Sequence, residues 1–336
     1  MKIGILGAGT WGTALSFLLY NNNHEVTLWS ALSAEIDELN STHRHRNLPD
    51  TLLPNGISFT KDISEAASDK EIVIFVVPSE FMRSTARLAA PFLSDGVTVL
   101  TASKGIERGT LCTMSQIVEQ EFSVSAPDLG YELVALSGPT HAEEVAMGLP
   151  TSIVAACKNE DTARSVAQIF SSTCLRAYTN TDVVGVEICG ALKNIIAIAA
   201  GIIRGMGFGD NACAMLITRG IAEMTRIGLA LGCDKGTFMG LAGVGDLIVT
   251  ATSHHSRNNR CGELIGKGFS YDEAAAQIGM VVEGYHSLEA AIEMSEKYGV
   301  EMPITRAVYD VIKNGVSPKD AMLALMQRDI KNELHI

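Results

Sequence analysis

Short apolar runs punctuate the first half of this 336-residue chain, at residues 2–6, 25–29, 71–77, 97–101, 132–137, 151–156 and 175–178. Most are continuous rather than alternating, as expected of strands covered on both faces. Helix-like stretches at 11–21, 80–90 and 162–170 lie between them. Strand and helix in this rhythm predict an α/β fold with a doubly wound, mostly parallel sheet. The rhythm stops near residue 182. The remainder of the chain reads as helices, at 183–204, 213–231, 271–278, 287–298, 305–313 and 318–326. A boundary near residue 185 therefore divides residues 1–185 from an all-helical C-terminal domain, 186–336.

The first strand, KIGIL, runs straight into GAGTWG, and a helical stretch comes next. This is G-x-G-x-x-G in the strand–turn–helix setting that gives the spacing its meaning. Gly7 permits the tight turn and Gly9 lets the backbone approach a pyrophosphate. Gly12 lets helix and strand pack closely, and the helix amino terminus faces the phosphates. The first domain thus reads as a Rossmann-type dinucleotide-binding domain and the second as a helical substrate-binding domain. An acid closing the second strand would bind the ribose 2′-hydroxyl of NAD. Here the strand closes on Trp29, Ser30 and Ala31, with neither a carboxylate nor an arginine. The basic cluster at His43, Arg44, His45 and Arg46 reads equally as a cofactor contact or a solvated loop. At this level NAD and NADP are both open.

The formal net charge of −12 argues against nucleic acid or an acidic membrane as a partner. An anionic substrate would need a local cationic pocket. The seven cysteines are odd in number and scattered, with no C-x-x-C. That pattern fits reduced thiols in a cytosolic protein better than a disulfide or zinc framework. His254 and His255 are adjacent without a further spaced ligand, so no metal is expected. No leader peptide is expected before the first strand. The longest apolar stretch, 183–203, approaches membrane length, but Glu187, Lys193 and Asn194 interrupt it. It reads as a buried helix, without stable membrane insertion.

A nicotinamide cofactor implies hydride transfer, which needs a proton donor or acceptor at the substrate hydroxyl. Lys193 lies in the apolar helix with Gly190 and Ala197 on its face. Burial would lower its pKa toward working pH. The same spacing fits a lysine snorkelling from a helix edge. Its polar neighbour Asn194 needs a partner and is a further candidate. Lys104 lies beyond the strand at 97–101, at the end where open α/β sheets hold ligands. Ser137, Gly138, Pro139 and Thr140 turn into another helix, whose amino terminus suits an anion or a cofactor; simple capping by Thr140 or Ser137 is the alternative and does not exclude contact. Asp246 sits among glycines and apolar residues, ahead of the polar run Ser256, Arg257, Asn258 and Arg260. Arginine forks suit phosphate. Arg219, Glu223 and Arg226, at helical spacing, read as a structural ion-pair face.

The strings GAGTWGTAL, VVPS, SKGIE, SGPTHAEEVA, GALKNIIAIAAGI, GFGDNACAMLITRG, GLAGVGDLIVT, SRNNR, VVEGY and MPIT occur in that order. Through them the chain resembles the bacterial NAD(P)-dependent glycerol-3-phosphate dehydrogenase family over almost its whole length. The resemblance implies reversible reduction of dihydroxyacetone phosphate to sn-glycerol 3-phosphate, for phospholipid synthesis in the cytoplasm. It implies NAD or NADP as cofactor, no metal, and a homodimer. It makes Lys193 the proton acceptor in alcohol oxidation and the donor in reduction. It places Lys104, Gly138, Thr140, Asp246, Ser256, Arg257 and Asn258 around the substrate. Thr10, Trp11, Lys104, Ala142, Arg257, Val281 and Glu283 would contact the cofactor, beside Gly7, Gly9 and Gly12. The family often carries histidine or arginine just after the second strand, where this chain has Ser30 and Ala31. Two rival readings share the architecture: a β-hydroxyacid dehydrogenase acting on a carboxylate, and a dinucleotide-sensing regulator without turnover.

Overall fold

The computed structural model describes residues 1–330, 332 and 333. Two compact units divide the chain: residues 1–103 with 112–183, and residues 104–111 with 184–336. The first unit begins β1 (Lys2–Leu6), α1 (Thr10–Asn21), β2 (Glu25–Trp29), α2 (Ser33–Thr42), β3 (Ser58–Thr60) and α3 (Ile63–Ala67). It continues β4 (Ile72–Phe75), α4 (Met82–Ala89), β5 (Val97–Thr101), α5 (Met114–Ser125) and β6 (Tyr131–Ser137). It closes with α6 (Ala142–Ala146), β7 (Thr151–Ala156), α7 (Glu160–Phe170) and β8 (Leu175–Asn180).

These strands form one sheet in the order β3-β2-β1-β4-β5-β6-β7-β8. Every pairing is parallel except β6 with β7. The expected doubly wound, mostly parallel sheet is therefore present. Winding goes outward from β1 through β2 and β3, then restarts at β4 on the other side of β1. The carboxyl ends of β1 and β4 thus flank the switch point, where such sheets hold ligands. Successive strand residues feed opposite cores. Ile5, Ile72 and Ile74 pack in one cluster with Leu15 and Leu19 of α1. Leu6, Val73 and Phe75 pack in another with Met82 of α4 and Ile117 and Phe122 of α5. Burial on both faces is why these strands read as unbroken apolar runs.

The second unit is helical: α8 (Val183–Gly205), α9 (Asp210–Ala230), α10 (Lys235–Met239), α11 (Asp246–Thr252) and α12 (Arg257–Gly266), then α13 (Tyr271–Ile278), α14 (Glu283–Tyr298), α15 (Pro303–Lys313) and α16 (Pro318–Met326). Helix α8 is long and apolar enough to cross a membrane, yet 94% of its most apolar window is buried inside the protein. Its neighbour α12 approaches to backbone contact. A Cβ on Gly262 would lie 2.1 Å from the Ile198 carbonyl oxygen, and one on Gly201 would lie 2.0 Å from that of Asn259. Glycines on both helices remove the side chains that would hold them apart.

The expected ion-pair face on α9 is not formed. Glu223 is buried, and its carboxylate accepts hydrogen bonds from Ile304 N (2.8 Å), Thr305 N (2.9 Å) and Thr305 Oγ1 (2.6 Å). It caps the amino terminus of α15, which satisfies an anion more fully than a surface arginine does. Arg226 turns instead to the Glu301 carbonyl, and Arg219 to that of Glu333.

The α8–α12 contact generates a stability test. G262A should lower the unfolding free energy by about 1–3 kcal/mol, because the added methyl forces two backbones apart. Chemical denaturation monitored by circular dichroism would read it as a lower midpoint. A wild-type midpoint would show that the helices part without cost.

Candidate active site

Three charged side chains meet in the helical unit. Lys193 stands at the middle of α8, Asp246 opens α11, and Lys104 lies on the 104–111 segment. A π-helical turn, Leu241–Gly245, leads directly into Asp246. Its small residues permit the tight path: a Cβ on Gly243 would lie 2.0 Å from the Phe238 carbonyl oxygen. Such turns recur at functional sites because they re-aim the helix that comes after them.

Asp246 Oδ1 accepts from Lys193 Nζ at 2.6 Å, and Oδ2 accepts from Lys104 Nζ at 2.6 Å. Lys193 also donates to Thr250 Oγ1 at 2.7 Å, while the Thr250 hydroxyl donates to the Asp246 carbonyl at 2.6 Å. Thr250 is one helical turn beyond Asp246, so a single helix supplies both acceptors. Sequence reading missed it. The available signal was a threonine four residues from a candidate acid. Lys193 and Asp246 are buried, with side chains 7% and 1% exposed, whereas Lys104 keeps 19%. The snorkelling alternative for Lys193 is thereby removed.

One carboxylate, shared between the buried Lys193 ammonium and the partly exposed Lys104 ammonium, cannot fully compensate both. Burial lowers the Lys193 pKa from 10.5 to about 7. The Asp246 charge opposes this shift and the Lys104 charge adds to it. Burial pushes Asp246 upward, but the adjacent lysine charges and hydrogen bonds outweigh it, and its pKa stays below the ordinary value. Asp246 therefore remains an anion while Lys193 exchanges a proton near neutrality.

A second polar relay runs beside the first. Asn258 Nδ2 donates to Asn194 Oδ1 at 3.0 Å, and Asn258 Oδ1 accepts from Gly284 N at 2.9 Å. This ties α8, α12 and the start of α14, next to Glu283 and Val281. Ser256 caps α12, its hydroxyl accepting from Asn259 N at 3.2 Å. Arg257, the first residue of α12, is exposed and has no ion-pair partner among the described residues. It is a free guanidinium on an acidic protein.

The remaining candidates lie in the sheet unit. Gly7 has φ +125°, and a Cβ there would lie 2.6 Å from the Val76 carbonyl oxygen. A Cβ on Gly12 would lie 1.9 Å from the Gly7 carbonyl oxygen. Both glycines are steric necessities of the β1–α1 turn. Gly9 differs, since a Cβ there would meet nothing within 4 Å. It is the N-cap of α1, and no side chain caps that helix. Open space before an uncapped amino terminus fits a pyrophosphate. Asn47, unnoticed in the sequence, donates to Thr10 Oγ1 at 3.0 Å and docks the 43–48 loop on this turn. Gly138 and Thr140 lie between β6 and α6, and Ala142 is the first residue of α6. Neither Ser137 nor Thr140 caps α6: its N-cap is His141, and Thr140 bonds instead to the Gly138 carbonyl. Among the described residues, no three metal-ligating side chains converge.

Comparison with known proteins agrees along the chain. Residues 2–163 match the family model for the N-terminus of NAD-dependent glycerol-3-phosphate dehydrogenase, and residues 182–323 match that for its C-terminus. A glycerol-3-phosphate dehydrogenase (NAD(P)+) of Lactobacillus delbrueckii subsp. bulgaricus is 52% identical over 333 residues, covering 99% of each chain. One from Agathobacter rectalis is 46% identical, covering 99% of this chain and 97% of its own. The crystal structure of glycerol-3-phosphate dehydrogenase from Coxiella burnetii aligns with a TM-score of 0.92 at 33% identity, over 97% of this chain and 99% of that one.

The geometry generates two tests. D246N leaves two amines without their anion and should cost about 3–5 kcal/mol of stability, read by denaturant titration. G9A has room for its methyl and a compatible backbone, so its stability should match wild type, while its affinity for NADH drops by about tenfold or more because the methyl stands in the cradle. Unchanged affinity in a fluorescence titration would remove Gly9 from the cofactor site.

Proposed function

The chain belongs to the NAD-dependent glycerol-3-phosphate dehydrogenase family, and from that premise we propose that it interconverts dihydroxyacetone phosphate and sn-glycerol 3-phosphate with NAD(P)(H). The observation that carries the mechanism is the buried Lys193 amine, poised near neutral pH between Asp246 and Thr250. The bound nicotinamide supplies the hydride in reduction and accepts it in oxidation. Everything else falls to the chain's own residues.

The Thr250 hydroxyl hydrogen is committed to the Asp246 carbonyl, so its oxygen can only accept from Lys193. Asp246, an anion, also only accepts. Lys193 therefore uses two N–H groups to fix its own orientation. Its remaining position carries a lone pair on the neutral amine and an N–H on the ammonium. In alcohol oxidation the lone pair takes the substrate hydroxyl proton, and in ketone reduction the ammonium returns it. Asp246 holds the amine, and Lys104 shares the charge of Asp246. Arg257 binds the substrate phosphate, with Ser256 and Asn258 ordering its helix turn. Anchoring the phosphate fixes the reacting carbon, which is the positional part of catalysis. Gly7, Gly9, Thr10, Trp11 and Gly12 receive the cofactor. The proposal extends to a cytoplasmic homodimer serving phospholipid synthesis, without nucleic-acid or membrane partners. The buried state of α8 and the net charge of −12 support the last two points.

The decisive assay is oxidation of NADH and NADPH in the presence of dihydroxyacetone phosphate. Turnover of a hydroxy acid in place of the phosphorylated ketone would favour the β-hydroxyacid alternative. Below pH about 7 Lys193 is charged and cannot accept a proton, so alcohol oxidation should rise with pH through that value. Ketone reduction, which needs the ammonium, should fall through the same range. K193A should abolish turnover while cofactor still binds, and near-normal turnover in that variant would end the assigned role.

A further inference from the structure

We propose that Glu35, held by Ser30 at the carboxyl end of β2, makes this chain prefer NAD(H) to NADP(H). The inference rests on the dinucleotide reading of the β1–α1 turn and not on the identity of the substrate. Leu6 pairs with Trp29 in register, and Gly7 N donates to the Trp29 carbonyl at 2.8 Å. The residue after Trp29 therefore lies beside the glycine turn. That residue, Ser30, is buried, and its hydroxyl donates to Glu35 Oε2 at 2.6 Å while accepting from Leu32 N at 3.1 Å. The strand end lacks an acid in sequence, but the first turn of α2 returns one to it in space. The amino-terminal end of α2 favours a negative charge there. In dinucleotide folds the acid in this place accepts a hydrogen bond from the ribose 2′-hydroxyl.

Glu35 interacts electrostatically with His45, but burial holds the His45 pKa below its ordinary value. Of the neighbours of Glu35 on α2, Asp37 pairs with Lys61 at 2.6 Å and Glu38 with Arg46 at 2.6 Å. Glu35 has no ion pair among the described residues; its partner is a neutral hydroxyl. The basic cluster singled out in the sequence does not offset it. Arg46 is engaged by Glu38, and the Arg44 guanidinium donates to the Pro49 carbonyl. His45 is buried and bonded by Asn47 N through Nδ1 at 3.1 Å. A 2′-hydroxyl can donate to this carboxylate, whereas a 2′-phosphate meets a like charge.

Direct binding to the full-length protein tests this without turnover, by titrating NADH and NADPH separately and monitoring nicotinamide fluorescence. Wild type should bind NADH at least about tenfold more tightly, the effect of one repulsive charge near a protein surface. E35Q keeps the shape and removes the charge. It should narrow that ratio at least about fivefold, mainly by tightening NADPH. S30A, which releases the carboxylate, should narrow it less. Equal or tighter NADPH binding in wild type, an unchanged ratio in E35Q, or binding of neither cofactor would overturn the inference. Selective NADH binding with no turnover of dihydroxyacetone phosphate would uphold it and remove the functional reading instead.

Discussion

One carboxylate shared by two amines organises the helical unit. Asp246 receives Lys193 on one oxygen and Lys104 on the other, at 2.6 Å each. Buried ions are tolerated only when paired and hydrogen-bonded, so each element that carries one of these groups is constrained by the other two. The 104–111 segment belongs to the helical unit even though the chain on both sides of it belongs to the sheet unit. The π-helical turn before Asp246 and the threonine one turn after it serve the same end, since both aim acceptors at Lys193. Burial, with the Lys104 charge adding to it, lets the Lys193 amine exchange protons near pH 7.

Elsewhere the constraint is absence of volume. Gly7 and Gly12 let β1, β4 and α1 meet at the switch point, and Gly201 and Gly262 let α8 and α12 touch. Gly9 is of another kind, because nothing in the protein requires it. A glycine with no steric reason, at an uncapped helix start, leaves room that a ligand could fill. The motif thus contains two glycines that the fold requires and one, Gly9, that no contact among the described residues requires.

Other features were illegible for identifiable reasons. Strand β3 is three residues long, too short to show a period. Helices α2 and α12 are polar, and their apolar faces are narrow. Short α11 falls among glycines and turn residues that read as a loop. Glu223 looked like one member of a charged stripe because helical spacing shows which side chains share a face but not what covers that face. In the structure the start of α15 covers it. Ser30 and Ala31 looked like a strand end without an acid because the acid returns from the next helix, five residues on.

The sequence by itself determined the class of fold, the position of the nucleotide turn, and Lys193 as the anomalous charge in an apolar helix. These depend on local periodicity and spacing, which the chain carries from residue to residue. Only the tertiary structure decided which groups share Asp246, why the Lys193 proton is labile near neutrality, that Asn194 and Asn258 bind each other, and that Glu35 stands at the end of β2. Those properties depend on burial and on distances between residues remote in the chain, and neither exists before the helices and strands pack.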